Sequence, residues 1–184
     1  MMFDKENGNK RWQEAEELEL TQIDQYDSFK DLGKGVKPPH GYKQITVHMV
    51  YNVKHDGHHK ARLVAGGHLT GPPLESIYSG VVLLRSLRIV IFLAELNDLK
   101  LWEVDIRNAY LEAHISEKVY IVAGPEFGEK QGHTLIINKA LYGLKSSGAR
   151  WHKRMFDVLS EMDWTPRKAN QNIWMKKIMV YWSI

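Results

Sequence analysis

The sequence predicts an α+β fold. Helical and strand-like segments follow one another without the regular alternation that is typical of a doubly wound parallel sheet. The dipeptide Asp56-Gly57 separates two segments of alternating polarity, which indicates an antiparallel hairpin. Hydrophobic residues make up 43% of the 184 residues, so the chain has enough apolar side chains to bury a core. This length fits one domain, or one domain with part of a second.

Composition and charge exclude several classes of protein. The chain has no cysteine, which excludes disulfides, thiolate metal sites and cysteine nucleophiles. No apolar run reaches the ~18 residues of a membrane span, and the first residues, MMFDKENGNKRW, lack the apolar core of a secretory signal. We therefore expect an intracellular protein without a membrane partner. A net charge of +3 is too small by itself to indicate nucleic-acid binding.

The N-terminal part, residues 1–40, is expected to form a helix and a linker. Its first ten residues are mostly polar and expected to fray. Arg11–Tyr26 has the period of an amphipathic helix, with Leu18 on the apolar side and Glu19 among the polar residues elsewhere. Glycine and proline residues then break the chain. The main domain is expected to span residues 41–184.

The hairpin carries two cations on one face. Its strands are predicted at Ile45–Val53 and Lys60–Ala65, and Lys60 and Arg62 alternate with small apolar residues in the second strand. Cations on one face suit a phosphate partner. They equally suit a solvated edge strand, which proteins protect with lysine, and the pattern alone favours neither interpretation.

The rest of the chain is predicted to continue as interleaved helices and strands. A mostly buried helix is expected at Val81–Leu96, a helical turn at Ala109–Leu111, and a helix that begins near Ser147. Further strands are predicted by β-branched and aromatic runs, at Leu101–Val104, Lys118–Val122, Thr134–Asn138, Ile173–Met175 and Ile178–Trp182.

Asp105 follows the apolar run Leu101–Val104, and two interpretations of this acid remain open. An acid at the end of a buried strand is costly unless a group pairs with it, and a divalent cation is one such partner. Alternatively, the carboxylate caps the next helical turn through backbone N–H groups.

Other candidate constellations are weaker. The nine histidines lack the spacing of a metal-binding helix, and no serine lies in a strand–Gly-x-Ser-x-Gly–helix setting. The glycine pairs also lack the remainder of a phosphate-loop pattern. Asp105 is therefore the surviving catalytic candidate, and the possible phosphate partners are Lys60, Arg62, Lys145 and Arg150.

Four blocks of sequence, in this order, carry a resemblance to a known family. They read KARLVAGGHLT, then VVLLRSLRIVIFLAELNDLKLWEVDIRNAYLEA, then KVYIV, then LYGLKSSGARWH. From about Arg11 to Trp174 the chain is similar to the reverse transcriptase of copia-type LTR retrotransposons. The resemblance implies the fingers and partial palm of a right-hand polymerase, which catalyses RNA-directed DNA polymerisation by two-metal nucleotidyl transfer.

The resemblance also implies roles for individual residues. Asp105 matches the first metal-binding aspartate, and the Ile106 carbonyl would help to hold a second Mg²⁺. Tyr110 matches the aromatic residue beneath the incoming sugar, and Lys60 and Arg62 match the basic strand that reaches the triphosphate. The loop with Tyr142 and Gly143 would also contact the nucleotide, and Lys145, Ser147 and Arg150 would contact the template–primer.

Departures from the family pattern qualify these expectations. Gly148 stands where the family usually has proline, and the Asp-Pro segment expected near Asn170–Asn172 is absent. The Tyr-x-Asp-Asp motif, which supplies the other catalytic aspartates, does not occur before Ile184. We therefore expect a truncated fragment with at most a partial Mg²⁺ site, inactive by itself.

Several functions remain open at this stage. The first is a fragment of a reverse transcriptase that binds deoxynucleoside triphosphates and an RNA/DNA template–primer, possibly together with the rest of a Pol polyprotein, in a cytoplasmic particle or the nucleus. The alternative is a non-catalytic nucleic-acid-binding remnant of a transposable element, whose affinity falls steeply with salt. A third is a marginal remnant without function.

Overall fold

The computed structural model describes residues 2–71, 77 and 79–176. Contacts divide the chain into two compact units. The first comprises Met1–Ile77 and Asn108–Trp151, and the second comprises Tyr78–Arg107 and His152–Ile184. Each unit contains both helix and strand, so the predicted α+β class is confirmed.

The first unit contains two complete helices, six strands and three short 3₁₀ segments among its described residues. The helices are α1 (Met2–Asn7) and α2 (Arg11–Gln25). The strands are β1 (Phe29–Lys34), β2 (Lys43–Gln44), β3 (Val47–Val53), β4 (His59–Ala65), β5 (Val119–Val122) and β6 (His133–Ile137). The 3₁₀ segments are Gly67–Leu69, Ala109–Glu112 and Pro125–Lys130.

Four of these strands form a mixed sheet in the order β1-β6-β5-β2. Strand β6 pairs antiparallel with β1 and β5, whereas β2 pairs parallel with β5. Strands β5 and β6 were predicted from their β-branched runs, and the short β2 and the polar β1 were not. Because β1 pairs with β6 across about a hundred residues of sequence, segments on both sides of residue 40 belong to this unit.

Strands β3 and β4 form the predicted antiparallel hairpin. Its register places Val50 opposite Arg62 and Asn52 opposite Lys60. Gly57 has a φ of +80°, which an L side chain rarely adopts, and this explains a glycine in the turn. The prediction of two strands around Asp56-Gly57 is confirmed.

Helix α2 packs against the hairpin. Trp12 makes edge contacts with the rings of Tyr51 and His59, at centroid distances of 5.4 and 4.3 Å. The hydroxyl of Tyr51 donates to the Glu16 carboxylate at 2.7 Å. The packed stripe of α2 differs from the prediction, because Leu18 is 59% exposed whereas Glu19 is half-buried.

The first ten residues are also more ordered than predicted. Residues Met2–Asn7 form α1, and Asp4 is only 6% exposed. Its carboxylate accepts hydrogen bonds from the backbone N–H groups of Trp12 and Gln13, at 3.1 and 2.9 Å. This acid therefore satisfies donors at the start of α2 that would otherwise lack an intrahelical partner.

One apolar core lies in the first unit, between α2, the hairpin and the mixed sheet. It is formed by buried side chains from all of these elements: Ile23, Ile45, Leu63, Ala65, Leu111, Val119, Ile121, Ala123, Leu135, Ile137, Leu141 and Leu144. Truncating a large member of such a core to alanine costs roughly 2–5 kcal/mol. Leu63 and Leu141 belong both to this core and to the segments that carry the candidate site.

The described part of the second unit contains α3 (Leu84–Leu96), the end of α4 (Ser147–Glu161), β7 (Thr165–Arg167) and β8 (Asn170–Met175). The division between the units falls within α4. The helix predicted at Val81–Leu96 is confirmed but begins at Leu84, and the helix predicted from Ser147 is confirmed. Strand β8 pairs with β7, which was not predicted. Ile178–Trp182, the partner expected for Ile173–Met175, lies outside the described residues.

Two predictions in the second unit are wrong. Helix α3 was expected to be mostly buried, but Ala94 is its only buried residue, and Phe92 is 61% exposed. Residues 101–104 were expected to form a strand, but they have no regular secondary structure, and Trp102 is 86% exposed. A strand is stable only when its backbone groups pair with a neighbour, and no described strand pairs with these residues.

None of the described helices combines the length and the apolar character that crossing a bilayer requires.

Candidate nucleotide-binding site

Strand β4 presents Lys60 and Arg62 on one face, as the alternation predicted. Both side chains are half-buried, whereas Ala61, Leu63 and Ala65 on the opposite face are fully buried. The apolar face fixes the strand on the core, so the direction of the two cations follows from the packing.

The Tyr142–Gly143 loop lies directly against the end of β4. The Ala65 N–H donates to the carbonyl oxygen of Tyr142 at 2.7 Å, and Val64 forms a parallel bridge with the same residue. Buried Leu141 and Leu144 anchor the loop on either side. The sequence feature that makes this approach possible is glycine at position 143.

A side chain at Gly143 would not fit this arrangement. The residue has a φ of +88°, and a Cβ atom would lie 2.1 Å from the Ala65 carbonyl oxygen. Gly67 packs against the same loop, because a Cβ atom at Gly67 would lie 2.0 Å from the carbonyl oxygen of Gly143. The two glycines therefore permit backbone contact between β4 and the loop.

Three side chains predicted to contact the nucleotide meet at this point. The Arg62 guanidinium lies 5.5 Å from the centroid of the Tyr142 ring, a cation–π distance. The rings of Tyr142 and Tyr110 lie 5.0 Å apart at 55°. Arg62 Nε is buried without a hydrogen-bond partner among the described residues. A buried charged donor without a hydrogen-bond partner is costly, and an anion bound to the rest of the guanidinium would offset part of this cost by neutralising its charge.

Tyr110 is presented by a tight turn. It lies in the 3₁₀ segment Ala109–Glu112, and the preceding residue Asn108 has a φ of +51°, in the left-handed region that asparagine tolerates better than most residues. The Asn108 amide donates to the Gln22 side-chain oxygen at 3.2 Å. Helix α2 thus holds the turn that carries Tyr110.

Sequence reasoning missed Glu19, Gln22 and Asn108. The Glu19 carboxylate accepts a hydrogen bond from the Leu63 N–H at 2.9 Å. Burial raises the pKa of Glu19, whereas the Leu63 bond and the charges of Lys60 and Arg62 act in the opposite direction. The signal was present in the sequence, because residues 15, 19 and 23 are spaced as one stripe of a helix.

The residues expected to contact template and primer lie near the start of α4. Lys145 donates to the carbonyl oxygen of Thr70 at 3.2 Å, and Arg150 donates to the Ser116 hydroxyl. The buried Ser147 hydroxyl donates to the Leu141 carbonyl oxygen at 2.6 Å. Ser147 therefore anchors the loop, whereas the exposed Lys145 is accessible to a ligand.

Asp105 and Ile106 belong to the second unit, whereas the site residues described above belong to the first. Both are exposed, and the expected strand that would end at Asp105 is absent, as described above. Within the part of the chain that the structure describes, no three His, Asp or Glu side chains are grouped to hold a metal ion. The donors present therefore do not fit the two-ion site that the resemblance implies.

Comparisons with known proteins identify the class. A family model described as reverse transcriptase (RNA-dependent DNA polymerase) matches residues 31–180, and the chain belongs to this family. Lys60, Arg62, Tyr110, Tyr142 and Gly143 all lie within the matched segment, whereas α2 precedes it.

Two relatives indicate a retrotransposon polyprotein. The chain is 26% identical over 175 residues to the retrovirus-related Pol polyprotein from transposon TNT 1-94 of Nicotiana tabacum, covering 89% of this chain and 13% of that protein. It is 37% identical over 119 residues to the transposon Ty1-NL2 Gag-Pol polyprotein of Saccharomyces cerevisiae, covering 64% of this chain and 7% of that protein. The resemblance found in the sequence is confirmed, and the chain spans a small part of both relatives. No solved structure matches it significantly.

Proposed function

We propose that this chain is the fingers and partial palm of a retrotransposon reverse transcriptase and that its first unit binds an incoming deoxynucleoside triphosphate. The observation that carries the proposal is the Arg62 guanidinium, which lies over the Tyr142 ring and whose buried Nε has no hydrogen-bond partner among the described residues. The planar fork of a guanidinium is suited to bidentate contact with phosphate. Lys60 adds a second positive charge on the same face of β4.

The neighbouring residues give this site its proposed selectivity. Tyr110 packs against Tyr142, and its ring would lie beneath the sugar and disfavour a 2′-hydroxyl. The backbone of Gly143 would allow the nucleotide to approach the loop closely. Lys145, Ser147 and Arg150 would lie along the template–primer, with Lys145 supplying an exposed charge and Ser147 holding the loop.

Polymerisation itself is proposed for the longer protein. Asp105 would be one metal ligand and the Ile106 carbonyl a second, but two Mg²⁺ ions need further carboxylates. No such cluster occurs among the described residues, so we derive no catalytic step from them. The proposed partners are RNA or DNA template–primers, deoxynucleotides and the rest of a Pol polyprotein.

A titration with a fluorescent dATP analogue tests the nucleotide site. Arg62→Ala should weaken binding roughly 10- to 100-fold, because a hydrogen bond to a charged group contributes about 1.5–3 kcal/mol. Arg154→Ala is the control, since this exposed arginine lies on the part of α4 in the second unit. Equal affinities of the two variants would refute the proposed role of Arg62.

A second candidate function is binding of nucleic acid without catalysis. It is favoured by the exposed Lys145 beside the start of α4. This function predicts that a template–primer binds and that dATP neither binds nor competes. Binding of dATP at the Arg62 site would favour the first proposal.

A further inference from the structure

Helix α2 contacts both elements that carry the candidate nucleotide residues, although it precedes the segment that the family model matches. The matched segment begins at residue 31, and α2 ends at Gln25. Its half-buried polar residues Glu19 and Gln22 point to two different parts of the site. These contacts have no role in the function proposed above.

The first contact fixes the outer edge of β4. Among the described strands β4 pairs only with β3, so the N–H groups on its other edge need acceptors from elsewhere. The Glu19 carboxylate accepts from the Leu63 N–H at 2.9 Å, and the Tyr142 carbonyl oxygen accepts from the Ala65 N–H at 2.7 Å. Leu63 directly follows Arg62, so Glu19 holds the backbone from which that guanidinium projects.

The second contact fixes the turn before Tyr110. Gln22 accepts a hydrogen bond from the Asn108 side chain at 3.2 Å, one helical turn after Glu19. A cavity of about 10 Å³ is lined by Glu19 and Asn108 together with Tyr110 and Tyr142. This is about the smallest volume in which a cavity can hold one water molecule. Helix α2 therefore lies beside Tyr110 and Tyr142, with space for at most one water molecule in the cavity that they share with Glu19.

We propose that Glu19 and Gln22 are positioning residues for the nucleotide site, which hold Arg62 on β4 and Tyr110 on its turn at the spacing that the ligand requires. The inference rests on the proposed nucleotide binding. It makes α2 part of the binding unit, although the helix lies outside the family-matched segment.

An acid at position 19 is costly for stability. A residue that served only to pack the helix would therefore be apolar, whereas a residue that holds the Leu63 N–H must supply an acceptor. Burial raises the pKa of Glu19 above its usual value, so the ionised form is disfavoured there. An apolar side chain would avoid this cost but would leave the Leu63 N–H without its acceptor. Glutamine removes the charge and keeps an acceptor oxygen.

The test compares Glu19→Ala, Glu19→Gln and Gln22→Ala with the unmodified chain, and uses Glu14→Ala as the control on an exposed position of the same helix. Affinity for the fluorescent dATP analogue is measured at a temperature where every variant is folded, and hydrogen exchange of the Leu63 amide is measured without ligand. Glu19→Ala and Gln22→Ala should each weaken dATP binding roughly five- to tenfold, a size expected from one lost hydrogen bond. Glu19→Gln should restore both the affinity and the protection of the Leu63 amide.

The outcomes separate this inference from the proposed function. If the unmodified chain binds dATP and both alanine variants bind it equally well, the positioning role is wrong and the nucleotide site remains. If Glu19→Gln fails to restore affinity, a hydrogen-bond acceptor at position 19 is not what matters, and the inference fails. If the unmodified chain does not bind dATP, the proposed function is wrong, and the positioning role is excluded with it.

Discussion

The contact between the Tyr142–Gly143 loop and β4 should depend on the absence of a side chain at Gly143. A Cβ atom in Gly143→Ala would lie 2.1 Å from the Ala65 carbonyl oxygen and 2.8 Å from Val64 Cγ1. One of the two backbones must shift, because neither contact is to the end of a flexible side chain. The shift breaks the Ala65–Tyr142 hydrogen bond and moves the Tyr142 ring away from Arg62.

The expected magnitude follows from two separate effects. A left-handed conformation costs an L residue roughly 1–2 kcal/mol relative to glycine. A lost hydrogen bond adds about 0.5–1.5 kcal/mol, and the steric shift adds more. We expect Gly143→Ala to lower the free energy of unfolding by roughly 2–4 kcal/mol and to abolish measurable dATP binding.

Gly57→Ala is the matched control. Gly57 has a φ of +80°, close to that of Gly143, but a Cβ atom there meets nothing within 4 Å. It should therefore show the conformational cost alone, roughly 1–2 kcal/mol, with dATP affinity unchanged. Urea denaturation followed by circular dichroism measures the first quantity, and the fluorescent titration measures the second. Equal destabilisation by the two substitutions, or dATP binding by Gly143→Ala, would refute this account of the loop.

Further predictions concern charge, pH, exposure and catalysis. Replacing Lys60 and Arg62 together by alanine should flatten the salt dependence of template–primer binding by about one to two units of slope, since each lost phosphate contact removes ~0.9. A hydrogen bond from His133 lowers the pKa of Asp31, so this pair stabilises the fold above the unfolded-state pKa and stops doing so as the pH falls through the folded-state value. Asp31→Asn should therefore lower the melting temperature more at pH 6 than at pH 3, in thermal melts at both values. Phe92→Ser on the exposed face of α3 should reduce self-association measured by light scattering. Primer-extension assays with Mg²⁺ or Mn²⁺ should show no product from this chain alone.

Each of these predictions has a contradicting result. An unchanged salt slope would mean that the two cations only protect a solvated strand edge. A melting temperature lowered by Asp31→Asn equally at both pH values would exclude the carboxylate charge as the cause. Identical scattering from the Phe92 variant would mean that α3 does not mediate association. Extension by the unmodified chain would show that further catalytic acids exist outside the described residues.

Local sequence patterns predicted the elements that are stabilised by contacts between residues close together in the sequence. The hairpin around Gly57 was predicted because turn and strands are adjacent, and α4 was predicted from its apolar period and the loop before it. The placement of Lys60 and Arg62 on the same face of β4 also follows from alternation alone. Tyr110 and Tyr142 were named only from the resemblance, and the contacts of Arg62 and Tyr110 with Tyr142 became visible only in the structure.

Features that depend on distant segments were not predictable in the same way. Strand β1 is polar and pairs with β6 far along the chain, so its own sequence gives no signal. Glu19 was placed among the polar residues away from the apolar side of the helix, and its acceptor role requires the edge of β4. Residues 101–104 have a strand-like composition but no pairing partner among the described strands. Composition alone cannot supply such a partner.

The location of bound dATP tests the central claim most directly. Backbone amide signals of the unmodified chain can be followed by NMR during a titration with dATP and Mg²⁺. The proposed site predicts that the largest shifts fall on Arg62, Tyr110 and Gly143, with smaller ones at Leu63, where α2 supports the strand. Shifts confined to the turn at Gly57 or to the second unit would contradict it, as would a titration that leaves every signal in place.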